Sequence, residues 1–391
     1  MKKTTVALTL ILLTATLAAA ELTMKWWGLT SFRQRYEVTK EFTDISFAGA
    51  APGTLLNRID NSTTRIGYQF GFTVDIRENI SAGLTLRSGL SGNAQVMHQE
   101  ISNKDGLLPA VQEAFINWQT PYLLVELGKI PQQGNALWDV YTSTLQTDFR
   151  QDDPRDGIFN DRLAALNGAR FSRSIGPVAL RALFHADLVS GNYRKLEDAS
   201  RDFIRTPDRN VFMLGTTLDI PGLTGNKDNA MGRTLAGMSL DFDYGFPNRA
   251  AKPGTNPDSI YADEKLWGAT LRQIGDYSTV QVSYAYNWRD SVFTMTYLDL
   301  MAQANLGNVV KNMQKDWGDF TLTLRYQTNS EEMEFIPYKG AEAIRTALHL
   351  YANKSLWGLD LQPRIIWFNT EIEGFEAKTQ TRYELTSTVR F

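Results

Sequence analysis

From Thr64 to Ile76 the chain reads T-R-I-G-Y-Q-F-G-F-T-V-D-I. Ile66, Tyr68, Phe70, Phe72, Val74 and Ile76 share one face of an extended chain, and Arg65, Gly67, Gln69, Gly71, Thr73 and Asp75 share the other. Successive side chains of a strand point to opposite sides of the pleat, so this period of two predicts a strand between an apolar and a polar environment.

The same reading recurs along the chain. Val178, Leu180, Ala182, Phe184, Ala186 and Leu188 alternate with residues that include Arg181, His185 and Asp187. Phe320, Leu322, Leu324 and Tyr326 oppose Thr321, Thr323, Arg325 and Gln327. At the carboxy terminus Tyr383, Leu385, Val389 and Phe391 oppose Arg382, Glu384, Thr386, Thr388 and Arg390.

Two environments could receive the apolar face: the core of a secreted sandwich, or lipid around a membrane barrel with a polar interior. Turn spacing favours the barrel. Short connections at 78–80, 120–121, 176–177, 275–276, 318–319 and 355–358 alternate with long polar stretches at 37–61, 91–109, 131–161, 190–209 and 246–264. Tight periplasmic turns and long outer loops produce that rhythm. The fold expected is therefore all-β, a transmembrane antiparallel β-barrel. Its strands are expected at 22–36, 63–77, 81–90, 111–118, 122–130, 162–173, 178–189, 210–220, 233–245, 265–274, 278–288, 301–316, 320–328, 342–353, 359–369 and 380–391. That makes 16 strands at roughly 23 residues each with their loops, a suitable length for a spanning strand and its connections. Residues 300–313 also admit a short loop helix, and losing or adding a hairpin there would give 14 or 18 strands.

Composition excludes several classes. The 391 residues carry 40 Lys and Arg against 43 Asp and Glu, a balance with no nucleic-acid surface. With no cysteine there is no disulfide, thiolate metal site or thiol nucleophile. At the amino terminus Lys2 and Lys3 precede the apolar run 6–17, and Ala18, Ala19 and Ala20 precede Glu21. This tripartite form predicts a cleavable signal peptide over 1–20, leaving 21–391 as the barrel. Trp26, Trp27, Trp118, Tyr122, Trp267, Tyr277, Trp288, Trp317, Phe320, Trp357 and Trp367 fall near expected strand ends, where amphipathic rings meet the lipid–water boundary.

The terminal strand T-R-Y-E-L-T-S-T-V-R-F, ending on Phe391, resembles the closing strand of Gram-negative outer-membrane proteins, whose final Phe serves as the assembly signal. With the signal peptide and the alternating segments, the mature chain resembles an outer-membrane porin. Residues 114–131, A-F-I-N-W-Q-T-P-Y-L-L-V-E-L-G-K-I-P, are also similar to a hairpin of several porin-like families. The resemblance implies a homotrimer in outer-membrane lipid and lipopolysaccharide, inserted by the barrel assembly machinery, with no cofactor. It also implies that the loop after the fifth strand, here 131–161, enters the lumen and narrows it. That loop carries Asp139, Asp148, Asp152, Asp153, Asp156 and Asp161, but lacks the P-E-F-G-G-type signature of many general porins, so its inward path is implied by position alone.

Alternation makes Arg65, Arg87, Arg181, Arg233, Arg272, Arg325, Arg345, Arg364 and Arg382 candidates for the pore lining, with Glu113 and Glu126 on the same wall. Charge on the inward face biases which ions pass. Arg65 and Arg87 lie where the porin resemblance places the basic cluster of the constriction. Gly67, Gly71, Gly83 and Gly89 are expected inward as well. Arg170 is ambiguous, because an inward Arg170 requires an inward Leu166. His185 and His349 face inward, and His98 completes the histidines. None forms a metal or catalytic motif, and no nucleophile elbow or phosphate loop occurs. No catalytic residue, enzyme activity or metal site is expected; the run 152–157 has oxygen ligands for calcium but no EF-hand register. The functional reading is a porin for passive diffusion of small hydrophilic solutes or ions. The alternative is a non-conducting outer-membrane barrel with adhesive or structural loops.

Overall fold

A computed structural model describes residues 23–43, 54–88, 94–97, 100–101, 109–131, 165–187, 209–223, 235–249, 264–289, 293–309, 320–332, 342–374 and 376–391. Its strands are β1 (Thr23–Thr43), β2 (Thr54–Arg77), β3 (Ile80–Ser88), β4 (Ala94–Met97), β5 (Glu100–Ile101), β6 (Pro109–Gln119), β7 (Leu124–Pro131), β8 (Ala165–Ile175) and β9 (Val178–Asp187). They continue with β10 (Arg209–Asp219), β11 (Met238–Arg249), β12 (Glu264–Ile274), β13 (Ser278–Arg289), β14 (Phe293–Asn305), β15 (Thr321–Glu332), β16 (Glu342–Leu356), β17 (Leu359–Ile372) and β18 (Glu376–Arg390). Two short helices, α1 (Ile220–Leu223) and α2 (Leu306–Val309), follow β10 and β14.

Each barrel strand pairs antiparallel with the next, β3 being followed in the barrel by β6, and β1 pairs with both β2 and β18. The sheet closes on itself as a 16-stranded barrel, leaving no edge to aggregate. The short strands β4 and β5 form a side hairpin that extends β2 at Thr64–Ile66.

The apolar face is outside. Phe32, Phe70, Ile116, Leu127, Phe184, Leu214, Val282, Leu324, Leu348 and Leu385 are exposed, while their polar neighbours Arg33, Glu126, Ser283, Arg325, His349 and Glu384 are buried. Cross-strand aromatic pairs band this surface. Trp26 stacks on Phe70 at 5.4 Å near the turn end, and Tyr36 on Tyr383 at 6.3 Å and Phe212 on Phe246 at 6.2 Å lie toward the loop end. Trp118, Tyr122, Tyr277, Trp357 and Trp367 are also exposed. Trp27 differs from the girdle expected of it: its neighbour Trp26 faces lipid, so Trp27 faces the lumen. Trp317 lies outside the described residues.

Turn chemistry fixes the short connections. Gly176 has φ 56° in the two-residue turn ahead of Pro177, and Trp357 and Gly358 have φ 52° and 81° at the two central positions of another. Positive φ at those positions matches the turn's twist to that of the strands. Tyr122 and Leu123 donate backbone N–H bonds to Thr120 Oγ1 at 3.2 and 2.9 Å, closing the turn between β6 and β7.

Two expected boundaries are corrected. The strand expected at 301–316 is β14 at Phe293–Asn305. Its inward Tyr297 and Met301 are as apolar as its outward Leu298 and Leu300, which erases the alternation that would have marked it. The connection expected at 37–61 is largely strand: β1 runs to Thr43 and β2 starts at Thr54. Beyond the lipid band both faces of a ladder meet water, so such strands carry no hydropathy signal.

Candidate functional site

The inward face is organised by charge. On β17, β18 and β1 the register places Arg364, Glu384 and Arg35 directly opposite one another. Glu384 accepts from Arg35 Nε at 2.5 Å and Arg364 Nε at 2.9 Å, with Arg382 Nε 3.9 Å away. Two residues further along, Arg325, His349, Ile366, Arg382 and Glu37 form a second row across β15, β16, β17, β18 and β1. Arg382 donates to Glu37 at 3.0 Å and lies 5.0 Å over the Phe368 ring, and Arg325 donates to Asp299 on β14 at 2.7 Å. Arg33 bonds Thr386 Oγ1 at 3.3 Å and stands opposite Arg65. Along this arc Arg35, Arg325, Arg364 and Arg382 share the carboxylates of Glu37, Asp299 and Glu384, and Arg33 and Arg345 are buried on the same wall.

The opposite wall is balanced. Arg181 on β9 donates to Asp243 on β11 through Nε and Nη2, both at 2.9 Å, and lies 3.5 Å from Asp241. Thr217 bridges Arg181 and Asp241. Glu126 on β7 forms a two-pronged pair with Arg170 on β8. Glu113 on β6 accepts from Thr85 at 2.9 Å, and Arg272 donates to Gln281 at 3.1 Å.

Of the residues expected on the wall, Glu113, Glu126, Arg181, Arg272, Arg325, Arg345, Arg364 and Arg382 share the inward face with His349, Gly67, Gly71 and Gly83. Arg170 joins them, its ambiguity resolved by the pair with Glu126. Arg65, Arg87 and His185 have the inward register, opposite Arg33, Gln69 and Gly168, though only their backbone is described. Asp139, Asp148, Asp152, Asp153, Asp156, Asp161, Gly89, His98 and Arg233 lie outside the described residues. Sequence reasoning missed Arg33, Arg35, Glu37, Asp241, Asp243 and Asp299. The alternation that found Arg325 would have found Arg33 and Arg35, two and four residues after Ser31 on the same face.

Burial is uneven around the wall. Arg33, Arg325, Arg345, Arg364 and Arg382 are 1–3% exposed and His349 0%, whereas Glu113 is half-buried and Thr73 and Asp75 are exposed. Among the described residues no group of His, Asp and Glu could hold a metal ion.

No family model matches the chain, and no curated protein matches it. Solved structures do. The outer membrane channel DcaP of Acinetobacter baumannii superposes with a TM-score of 0.51 at 10% identity, over 95% of this chain and 98% of that one. An anion-selective porin from Comamonas acidovorans gives 0.51 at 12% identity over 95% and 100%. OmpF of Salmonella typhi, solved in complex with daunomycin, gives 0.51 at 9% over 94% and 97%. At such identities the likeness concerns architecture, and the architecture of this chain is that of the outer-membrane porins.

Proposed function

We propose that the chain is an outer-membrane porin, a water-filled channel for passive diffusion of small hydrophilic solutes or ions. The observation that carries this reading is the division of one closed sheet into an apolar outer face with aromatic bands and an inner face of ion pairs. An apolar exterior suits lipid, and a charged interior suits permeating solutes. The reading includes a signal peptide at 1–20, Phe391 as the assembly signal, a homotrimer in lipid and lipopolysaccharide, and the connection 131–161 as the constricting loop. Asp139, Asp148, Asp152, Asp153 and Asp156 on that loop would complement the basic arc, with Arg65 and Arg87 extending it. Mature protein folded in detergent and inserted in a planar bilayer tests this: discrete conductance steps are expected, in threes for a trimer.

The alternative, a non-conducting barrel with adhesive or structural loops, is favoured by one observation. Arg325, Arg345, His349 and Arg382 on the inner wall are almost wholly buried, so that arc does not itself border open solvent. A folded barrel that inserts and never conducts selects this reading.

A further inference from the structure

We infer that the inner wall formed by β1, β2, β3 and β6 is a binding platform for a sugar ring. The inference rests on the porin reading, because the platform is reached through the lumen. Trp27 and Phe115 face inward by the same alternation that exposes Trp26 and Ile116 on the outside. Each ring is seated over a glycine of the neighbouring strand. A Cβ on Gly71 would lie 2.7 Å from Trp27 Cε2, and one on Gly83 would lie 2.6 Å from Phe115 Cζ. Gly71 stands directly opposite Trp27, and Gly83 directly opposite Phe115. On its other side Phe115 stands opposite Gly128.

A large apolar ring on the inner wall of a polar lumen forgoes the lipid contact it would gain outside. Trp27 remains 36% exposed. Each ring thus rests on bare backbone of the inner wall. Around the rings stand groups that accept or donate hydrogen bonds: exposed Thr73, half-buried Gln69, and half-buried Glu113, whose Oε2 accepts from Thr85 at 2.9 Å. A carboxylate has about four acceptor sites, so Glu113 retains capacity for hydroxyl donors.

This combination discriminates among solutes. An anion gains little net attraction, because Glu113 offsets Lys129 and exposed Lys25, which stands opposite Thr73. An apolar solute stacking on the rings would strip water from Glu113 and return no hydrogen bond, which is costly. A pyranose satisfies both demands, with a C–H face for the aromatic surface and hydroxyls at its rim for Glu113 and Thr73.

The test is isothermal titration of the detergent-folded full chain with maltotriose, using polyethylene glycol of similar mass as control. Saturable heat is expected for maltotriose and none for the glycol. Trp27→Ala and Phe115→Ala should each weaken binding about tenfold, about 1.4 kcal/mol, and Trp27→Phe should recover most of the loss. If either alanine variant fails the heat-modifiability check for folding, Glu113→Gln serves instead: it keeps an acceptor for Thr85, loses the charge, and should also weaken maltotriose. Absence of saturable binding, equal binding by folded variants, or equal binding of the glycol overturns the platform. Bilayer conductance measured in parallel keeps the two readings apart. A barrel that binds maltotriose without conducting overturns only the porin reading, and one that conducts without binding overturns only the platform.

Discussion

Arg181 reaches Asp243 across an intervening strand, and the residue it crosses is Gly215. The three stand directly opposite one another on β9, β10 and β11. A Cβ at Gly215 would lie 2.0 Å from Asp243 Oδ1 and 2.5 Å from Arg181 Nε, so only glycine leaves the path for this pair. Gly215→Ala is expected to lower stability by about 1–3 kcal/mol, as overpacking does, read from urea unfolding in vesicles. An unchanged midpoint would mean that the pair re-forms around the methyl. Glu384 presents the converse case, a single carboxylate held between Arg35 and Arg364. Glu384→Gln removes the charge that both guanidiniums share in a buried place, and breaking such a pair costs about 3–5 kcal/mol. The double variant Glu384→Gln with Arg364→Met should recover part of that loss in a double-mutant cycle. At this scale the sequence is legible for facing but not for partnership. Alternation places Arg364 and Glu384 inward, yet their pairing depends on the register between β17 and β18. Arg170 shows the limit of facing itself: Leu166, two turns of the pleat away, argues the other way, and only Glu126 across the ladder decides it.

Closure depends on the seam between the first and last strands. Phe391 and Gly28 exchange backbone bonds of 2.8 and 2.9 Å, and a Cβ on Gly28 would lie 2.4 Å from Phe391 Cε2. The terminal ring thus packs on bare backbone of β1, shielding it from lipid at the place where the sheet closes. Gly28→Val should push this ring away and weaken the seam, seen as loss of the heat-resistant compact form on unheated gels. Gly28→Val with Phe391→Ala should regain some of it if the clash is the cause. If the single variant keeps the compact form at the same temperature, the seat on Gly28 has no part in closure. Strand identity was legible wherever one face meets lipid and the other does not, as in β2, β9, β15 and β18. It failed at β14, whose inward Tyr297 and Met301 match its outward leucines. It also failed at the outer ends of β1 and β2, where Leu55, Leu56 and Ile59 do not keep to one face and the register shifts at Glu41 and Phe42. The shift of β14 left the strand count intact because the helix α2 begins only after β14 has ended.

Among the described side chains the inner wall is electrostatically lopsided, with guanidinium excess along β15, β16, β17, β18 and β1 and near balance along β7, β8, β9 and β11. This asymmetry is invisible in the net charge of −3, which averages the two walls with every loop. Fixed charge in a lumen of low-dielectric walls concentrates counter-ions, so the arc should favour anions. In a bilayer under a potassium chloride gradient, the reversal potential is expected to take the sign set by chloride. The preference should fade from 0.1 M to 1 M salt, as the Debye length falls from about 10 Å to about 3 Å. Arg33 and Arg382 are nearly buried, so neutralising them acts through the field at a distance rather than by touching the ion. Arg33→Gln with Arg382→Gln should therefore move the reversal potential toward zero more at 0.1 M than at 1 M, provided the folded form is retained. A cation-set reversal potential in the native chain would assign control of the field to carboxylates off this arc, with the aspartates of 131–161 the first to neutralise.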